Sequence, residues 1–174
     1  MTQRAPLSSR YCCPILTART LRCLSADRLD IGLLRFCSLA VYLLDTNIVS
    51  ELRKVRPHGA VLSWLEGIAD TDLYLCAVTL AEIQSGIEIT REQDAIKAAA
   101  IEAWADQVAV AYNVLSMDAT TFRLGAKLMH RQSNAVYEDA MIAACAIAHK
   151  LTVVTRNVRD FERFEVPLLN PFVK

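Results

Sequence analysis

Residues 41–47 read Val41-Tyr42-Leu43-Leu44-Asp45-Thr46-Asn47. Four apolar residues in succession suit a strand buried on both faces, and the three polar residues after them are good helix caps. A buried strand that turns directly into a helix opens a β–α unit, and the downstream sequence repeats that unit. A short helix through Ile48, Val49 and Leu52 is expected to end near Pro57, and residues 60–69 form a second helix with Val61, Leu62, Trp64, Leu65 and Ile68 on its apolar side. Residues 72–79 read as the second strand, with Thr79 capping a helix from Leu80 through Ile87. A longer helix spans about Arg91 to Val110, with Ile96, Ile101, Trp104 and Val108 near helical spacing. Residues 112–117 give a third strand, and Asp118 caps a helix through Arg131. Residues 133–138 form a loop, and Asp139 opens the most apolar helix of the chain. Residues 151–155 and 166–170 supply a fourth and a fifth strand.

Short strands alternating with helices predict an α/β fold with a parallel sheet of about five strands covered on both faces. Right-handed crossovers then bring every strand's C-terminal end to one edge. Four acids stand just after the apolar runs: Asp45, Glu82 in Thr79-Leu80-Ala81-Glu82-Ile83, Asp139 after Tyr137-Glu138, and Asp160 after residues 151–155. Taken singly, Asp45 is a helix cap, Glu82 a first-turn acid favoured by the helix dipole, and Asp160 a turn residue paired with Asn157. Gathered at one sheet edge, carboxylates repel one another unless a proton or a cation intervenes. Hard oxygen donors in such a cluster suit Mg²⁺, with Mn²⁺ as the alternative. Such an ion would activate water and polarise a phosphoryl oxygen. The chain therefore reads as a metal-dependent enzyme. Asp139 is preferred to Glu138 as a ligand because Ala140, Ile142 and Ala143 begin a buried face beside it. The three histidines, His58, His130 and His149, fall at helix ends or in loops, and none competes for the role of general base.

Composition narrows the classes. The chain has 174 residues, 53% apolar and 22% charged, enough for one domain with a full core. No run of about 18 uncharged apolar residues occurs, so no membrane span is expected. Residues 1–40 carry six arginines against Asp27 and Asp30, while residues 41–174 carry 13 basic and 17 acidic side chains. A domain that only binds nucleic acid needs a basic excess, and this one lacks it. Residues 1–40 hold Cys12, Cys13, Cys23 and Cys37 without zinc-ligand spacing and without steady periodicity. They lack the apolar core and cleavage site of a targeting peptide. They are expected to be a disordered or non-functional extension, with the domain occupying 41–174. Cys76 and Cys145 lie in apolar stretches and read as buried hydrophobes, which fits a reducing cytoplasm.

The stretches 43–52 (LLDTNIVSEL), 77–86 (AVTLAEIQSG), 137–161 (YEDAMIAACAIAHKLTVVTRNVRDF) and 168–172 (LLNPF) together resemble the PIN domain, specifically the VapC-like toxin ribonucleases of type II toxin–antitoxin pairs. The likeness covers about residues 41–172, in the family's motif order. It implies a five-stranded parallel sheet, a Mg²⁺-dependent endoribonuclease acting on RNA, inhibition by a small cognate antitoxin, and a homodimer. It also implies Asp45 as the first metal ligand, Glu82 as the second acid and Asp139 as the main partner ligand. Asp160 ranks below these three, because some relatives carry an acid where Asn157 stands. Thr46, Asn47, Thr155 and Asn157 match polar positions around the site and can hydrogen-bond the ligands. Arg156 is a candidate phosphate contact, since its fork suits oxyanions. Trp64 and Trp104 lie in no basic cluster and fit core positions better than base-stacking platforms.

Two rival readings remain. A catalytically silent regulatory or assembly module with the same fold would also accommodate the acidic charge and Asn157. A phosphatase using Asp45 as nucleophile would want a second acid at position 47, where the chain has Asn47.

Overall fold

Leu43 and Leu44 are both fully buried but face opposite ways, and that alternation organises the molecule. The computed structural model describes residues 40–173. The extension expected at 1–40, with its four cysteines, lies outside the described residues except for Ala40. Strand β1 spans Tyr42–Leu44, β2 Leu73–Cys76, β3 Asn113–Leu115, β4 Thr152–Val154 and β5 Leu168–Leu169. They form one five-stranded sheet in the order β3-β2-β1-β4-β5, and every pairing is parallel. Parallel strands need crossovers, and seven α-helices among the described residues provide them: α1 (Thr46–Glu51), α2 (Gly59–Glu66), α3 (Ala77–Gln93), α4 (Ala95–Ala111), α5 (Ala119–Leu128), α6 (Tyr137–His149) and α7 (Val158–Phe161).

The period of two along each strand sorts the core into two layers. Leu44, Leu73, Leu75 and Val154 pack with Ile48, Ile83, Ile87, Ile101, Trp104 and Val108 from α1, α3 and α4. On the opposite face, Leu43, Cys76 and Val153 pack with α6 and with Phe161 and Phe164. Helix α6 is buried at seven consecutive positions, Ala140–Ala146, and the small alanines let neighbours close in from every side. Its partner α5 approaches so closely at Gly125 that a Cβ there would meet the terminal methyl and sulfur of Met141. Cys76 and Cys145 are fully buried and unlinked, and their thiols hydrogen-bond to each other. No helix among the described residues is long and apolar enough to cross a membrane.

Several local expectations are corrected. Ala77, Val78 and Thr79 are not strand: β2 stops at Cys76 and α3 begins at once, so Thr79 is a buried helical residue and not a cap. Helix α3 does not end at Ile87 but runs to Gln93. Asp94 then breaks the chain and caps α4, accepting from the Lys97 N–H at 2.9 Å. Ile96, expected on the apolar face of that helix, is 81% exposed, because its spacing from Ala98, Ile101, Trp104 and Val108 puts it on the opposite side from that buried stripe; the helix itself starts four residues later than expected. Asp118 does cap α5, accepting from Thr121 N–H and hydroxyl, both at 2.7 Å. That helix ends at Leu128 and not at Arg131, which adopts a positive φ of 61°. The 133–138 segment is a 3-10 turn, Asn134–Val136, running into α6 two residues earlier than expected, so Asp139 lies within the first turn.

Candidate active site at the sheet edge

Strand order reverses between β1 and β4: one half of the chain builds outward through β2 and β3, and the other returns to β4 and β5. Parallel sheets open a crevice at the strand C-termini where this reversal occurs. Asp45 and Thr155 are the residues that leave β1 and β4 at that point. The Asp45 N–H donates to Val154 O at 3.0 Å, which continues the ladder by one rung. The Asp45 carboxylate is 4% exposed yet well supplied with donors. It accepts from Thr46 N–H at 2.7 Å, from the Thr155 hydroxyl at 2.7 Å, and from the Asn47 amide. Asn47 also donates to Thr155 Oγ1 at 3.0 Å, and its own carbonyl accepts from the Arg156 N–H at 3.1 Å. Burial pushes the Asp45 carboxyl above its ordinary range, and the hydrogen bonds from Thr155, Thr46 and Asn47 only partly offset this.

Glu82 reaches the crevice from the second turn of α3. It accepts a short hydrogen bond from the Thr46 hydroxyl, tying α3 to the start of α1. Because the helix begins earlier than expected, the first-turn dipole argument for Glu82 does not apply. Its carboxyl is raised by burial first, then by the charges of Asp45, Glu138 and Asp139. Asp139, from the first turn of α6, is raised to about 6, by burial and by the charges of Asp45, Asp160 and Glu138. Asp160 lies on α7. One of its oxygens accepts from Asn157 Nδ2 at 2.5 Å, and the other from Arg163 Nη2 at 3.2 Å. The Asn157 N–H in turn donates to Thr155 Oγ1 at 2.8 Å.

The fold thus gathers Asp45, Glu82, Asp139 and Asp160 from four separate elements into one shared electrostatic field, with Thr46, Asn47, Thr155 and Asn157 hydrogen-bonded among them. Among the described residues, however, no group of three or more His, Cys, Asp or Glu side chains is drawn together tightly enough to enclose an ion. Arg156 donates its backbone N–H to Asn47, while its side chain has other partners. Its guanidinium lies 5.5 Å from the ring centre of Phe172, and its charge bears on Glu51. Trp104 is buried, while Trp64 meets Tyr42 edge-on at 5.1 Å.

Glu138, passed over in the sequence in favour of Asp139 as a ligand, adds negative charge toward both Glu82 and Asp139. Arg163, which the sequence reading missed, is the cation that lowers Asp139. Arg163 pairs with Asp160 three residues earlier, a spacing visible in the sequence once α7 and the turn after it are recognised as helical.

A parallel α/β sheet with buried and half-buried carboxylates at its switch point defines a recognisable class of protein. The model of the PIN domain matches residues 42–167, and the chain belongs to that family. It is 34% identical over 137 residues to the plasmid stability protein StbB of Pseudomonas syringae pv. tomato, covering 75% of this chain and 97% of that one. It is 34% identical over 140 residues to the VapC ribonuclease Y4jK of Sinorhizobium fredii, covering 74% and 96% respectively. Among solved structures, FitAcB from Neisseria gonorrhoeae superposes with a TM-score of 0.67 at 29% identity, covering 77% of this chain and all of that one (100%).

Proposed function

We propose that this protein is a divalent-metal-dependent endoribonuclease and the toxic half of a type II toxin–antitoxin pair. Mg²⁺ is its natural ion and Mn²⁺ a substitute. The observation that carries this reading is the convergence of Asp45, Glu82, Asp139 and Asp160 at the β1–β4 crevice, with Asp139 raised to about 6 by burial first and then by its acidic neighbours. The ribonuclease name of the Sinorhizobium relative supports the choice of RNA as substrate. The donor set is all oxygen, and Mg²⁺ usually takes one or two protein carboxylates and fills its remaining positions with water. That suits a pocket without a three-acid cage. Asp45 and Asp139 would hold the ion, with Glu82 alongside and Asp160 at the pocket's edge between Asn157 and Arg163. The ion would supply Lewis acidity toward a phosphoryl oxygen and an activated water.

The chain's own residues provide the preorganisation. Thr155 and Asn47 fix the Asp45 carboxylate from one side, and Thr46 fixes Glu82 from the other. Neither carboxylate then needs to reorient when substrate arrives. Inhibition by a small antitoxin, a homodimeric state and a cytoplasmic setting belong to this proposal, and the toxin reading is supported by the name of a further relative, Toxin FitB of Neisseria gonorrhoeae, 28% identical over 137 residues.

Purified protein should cleave single-stranded RNA with Mg²⁺ and stop in chelator. Asp45→Asn and Asp139→Asn should each lower cleavage by roughly a thousand-fold or more while keeping the native circular dichroism. Undiminished cleavage by both variants would exclude the proposed chemistry. The absence of a three-acid cage also fits a silent module with this fold. Titration with Mn²⁺ separates the two, because a silent module would show no binding that depends on Asp45 and Asp139.

A further inference from the structure

We infer that Arg163 binds a backbone phosphate of the RNA beside the acidic pocket, and that Asp160 serves to position it. The inference rests on the ribonuclease reading above. An acidic pocket repels a polyanion, so a strand that reaches it needs a cation close by. Arg156, the residue the sequence suggested, is directed elsewhere: it lies over Phe172 and acts on Glu51. Arg163 is the arginine whose charge reaches Asp139. Its guanidinium is held without being locked. Nη2 donates to Asp160 Oδ1 at 3.2 Å, Nη1 donates to Gln132 Oε1 at 3.4 Å, and the side chain is 35% exposed. A partly exposed ion pair of this kind is weakly held, so the guanidinium can turn to a phosphate at little cost. The planar fork also suits two oxyanion contacts at once.

Asp160 is placed for this role. One oxygen accepts from Arg163 and the other from Asn157 Nδ2, so the carboxylate links the arginine to the pocket's hydrogen-bond network. The Asn157 N–H is anchored on Thr155 Oγ1, and that hydroxyl donates to Asp45. An unbroken line of hydrogen bonds therefore sets Arg163 in register with the carboxylate at the centre of the pocket.

The test is kcat/KM for cleavage of a single-stranded RNA oligonucleotide across a salt series, with Mn²⁺ titration and thermal melting alongside. Arg163→Ala should lose roughly ten- to a hundred-fold in kcat/KM at an unchanged melting temperature, and its logarithmic salt slope should be shallower by about 0.7, the signature of one lost phosphate contact on single-stranded nucleic acid. Arg163→Lys should restore the salt slope but only part of the rate, having charge without the fork. Asp160→Asn should keep the salt slope and the wild-type Mn²⁺ affinity, which Asp139→Asn should lose. Wild-type rate and slope in Arg163→Ala would overturn the inference, as would an unchanged slope beside a lowered melting temperature. Loss of Mn²⁺ affinity in Asp160→Asn would overturn the role given to Asp160. A wild-type protein that cleaves no RNA brings down the ribonuclease reading together with this one. Cleavage matched by Arg163→Ala brings down this one alone.

Discussion

Thr155 carries no charge, yet three partners meet at its hydroxyl. It donates to Asp45 Oδ2 at 2.7 Å and accepts from Asn47 Nδ2 at 3.0 Å and Asn157 N–H at 2.8 Å. Thr155 is fully buried, so Thr155→Val removes the donor without opening a cavity and leaves a buried carboxylate oxygen short of a partner. The expected cost is about 1–3 kcal/mol in urea unfolding, together with slower RNA cleavage, and Thr155→Ser should recover both. Equal stability of the valine variant would show that the hydroxyl network does not hold Asp45. At this scale the sequence was most legible where chemistry and position coincide. An acid directly after four apolar residues can be read as Asp45 was. Arg163 was not legible in that way, because its importance arises from contacts with Gln132 and Asp160 that the chain reveals only after folding.

Helices α5 and α6 are seated by one missing side chain. A Cβ at Gly125 would collide with Met141, but with the far end of a flexible thioether and not with backbone. Alanine gains helix propensity of about 1 kcal/mol over glycine, which offsets moving that methyl, so Gly125→Ala should leave stability within about 1 kcal/mol of wild type. Gly125→Val adds bulk close to the backbone of a close-packed layer and should cost about 1–3 kcal/mol by chemical denaturation. A valine variant as stable as wild type would mean the two helices can part freely. Strand and helix types were largely legible from the hydrophobic pattern, whereas boundaries were not. Ala77-Val78-Thr79 carries β-favouring residues, yet it is helical because the strand's useful length ends where β1 and β3 end beside it. That shift moved Glu82 into a second turn and removed the dipole argument for it. Ile96 is exposed because it is out of phase with the Ala98, Ile101, Trp104 and Val108 stripe, five residues before Ile101 where helical spacing wants three or four.

Burial of the pocket's acids, reinforced by their mutual charge at Glu82 and Asp139, gives the whole molecule a pH dependence. Asp139 is raised from an ordinary 3.8 to about 6, so the fold favours its protonated form. That contribution is fully present below about 4 and is lost as pH rises through about 6. Asp45 and Glu82 are raised as well, so they act in the same direction. In chelator the melting temperature should therefore fall between pH 5 and 7.5, and Asp139→Asn should flatten that fall. The effect is on the order of 1 kcal/mol once discounted for a half-exposed side chain. Added Mg²⁺ should restore stability at pH 7.5 in wild type but not in Asp139→Asn. A melting temperature that rises across this interval in chelator would contradict the crowded pocket. The sheet's strand order has a temporal consequence as well. Because β4 docks beside β1 only after some 110 intervening residues have been made, Asp45 waits for Thr155 until β4 has been synthesised. A nascent chain that stops short of β4 thus carries a pocket without its Thr155 anchor, and chemistry that depends on that pocket is deferred until the strand arrives.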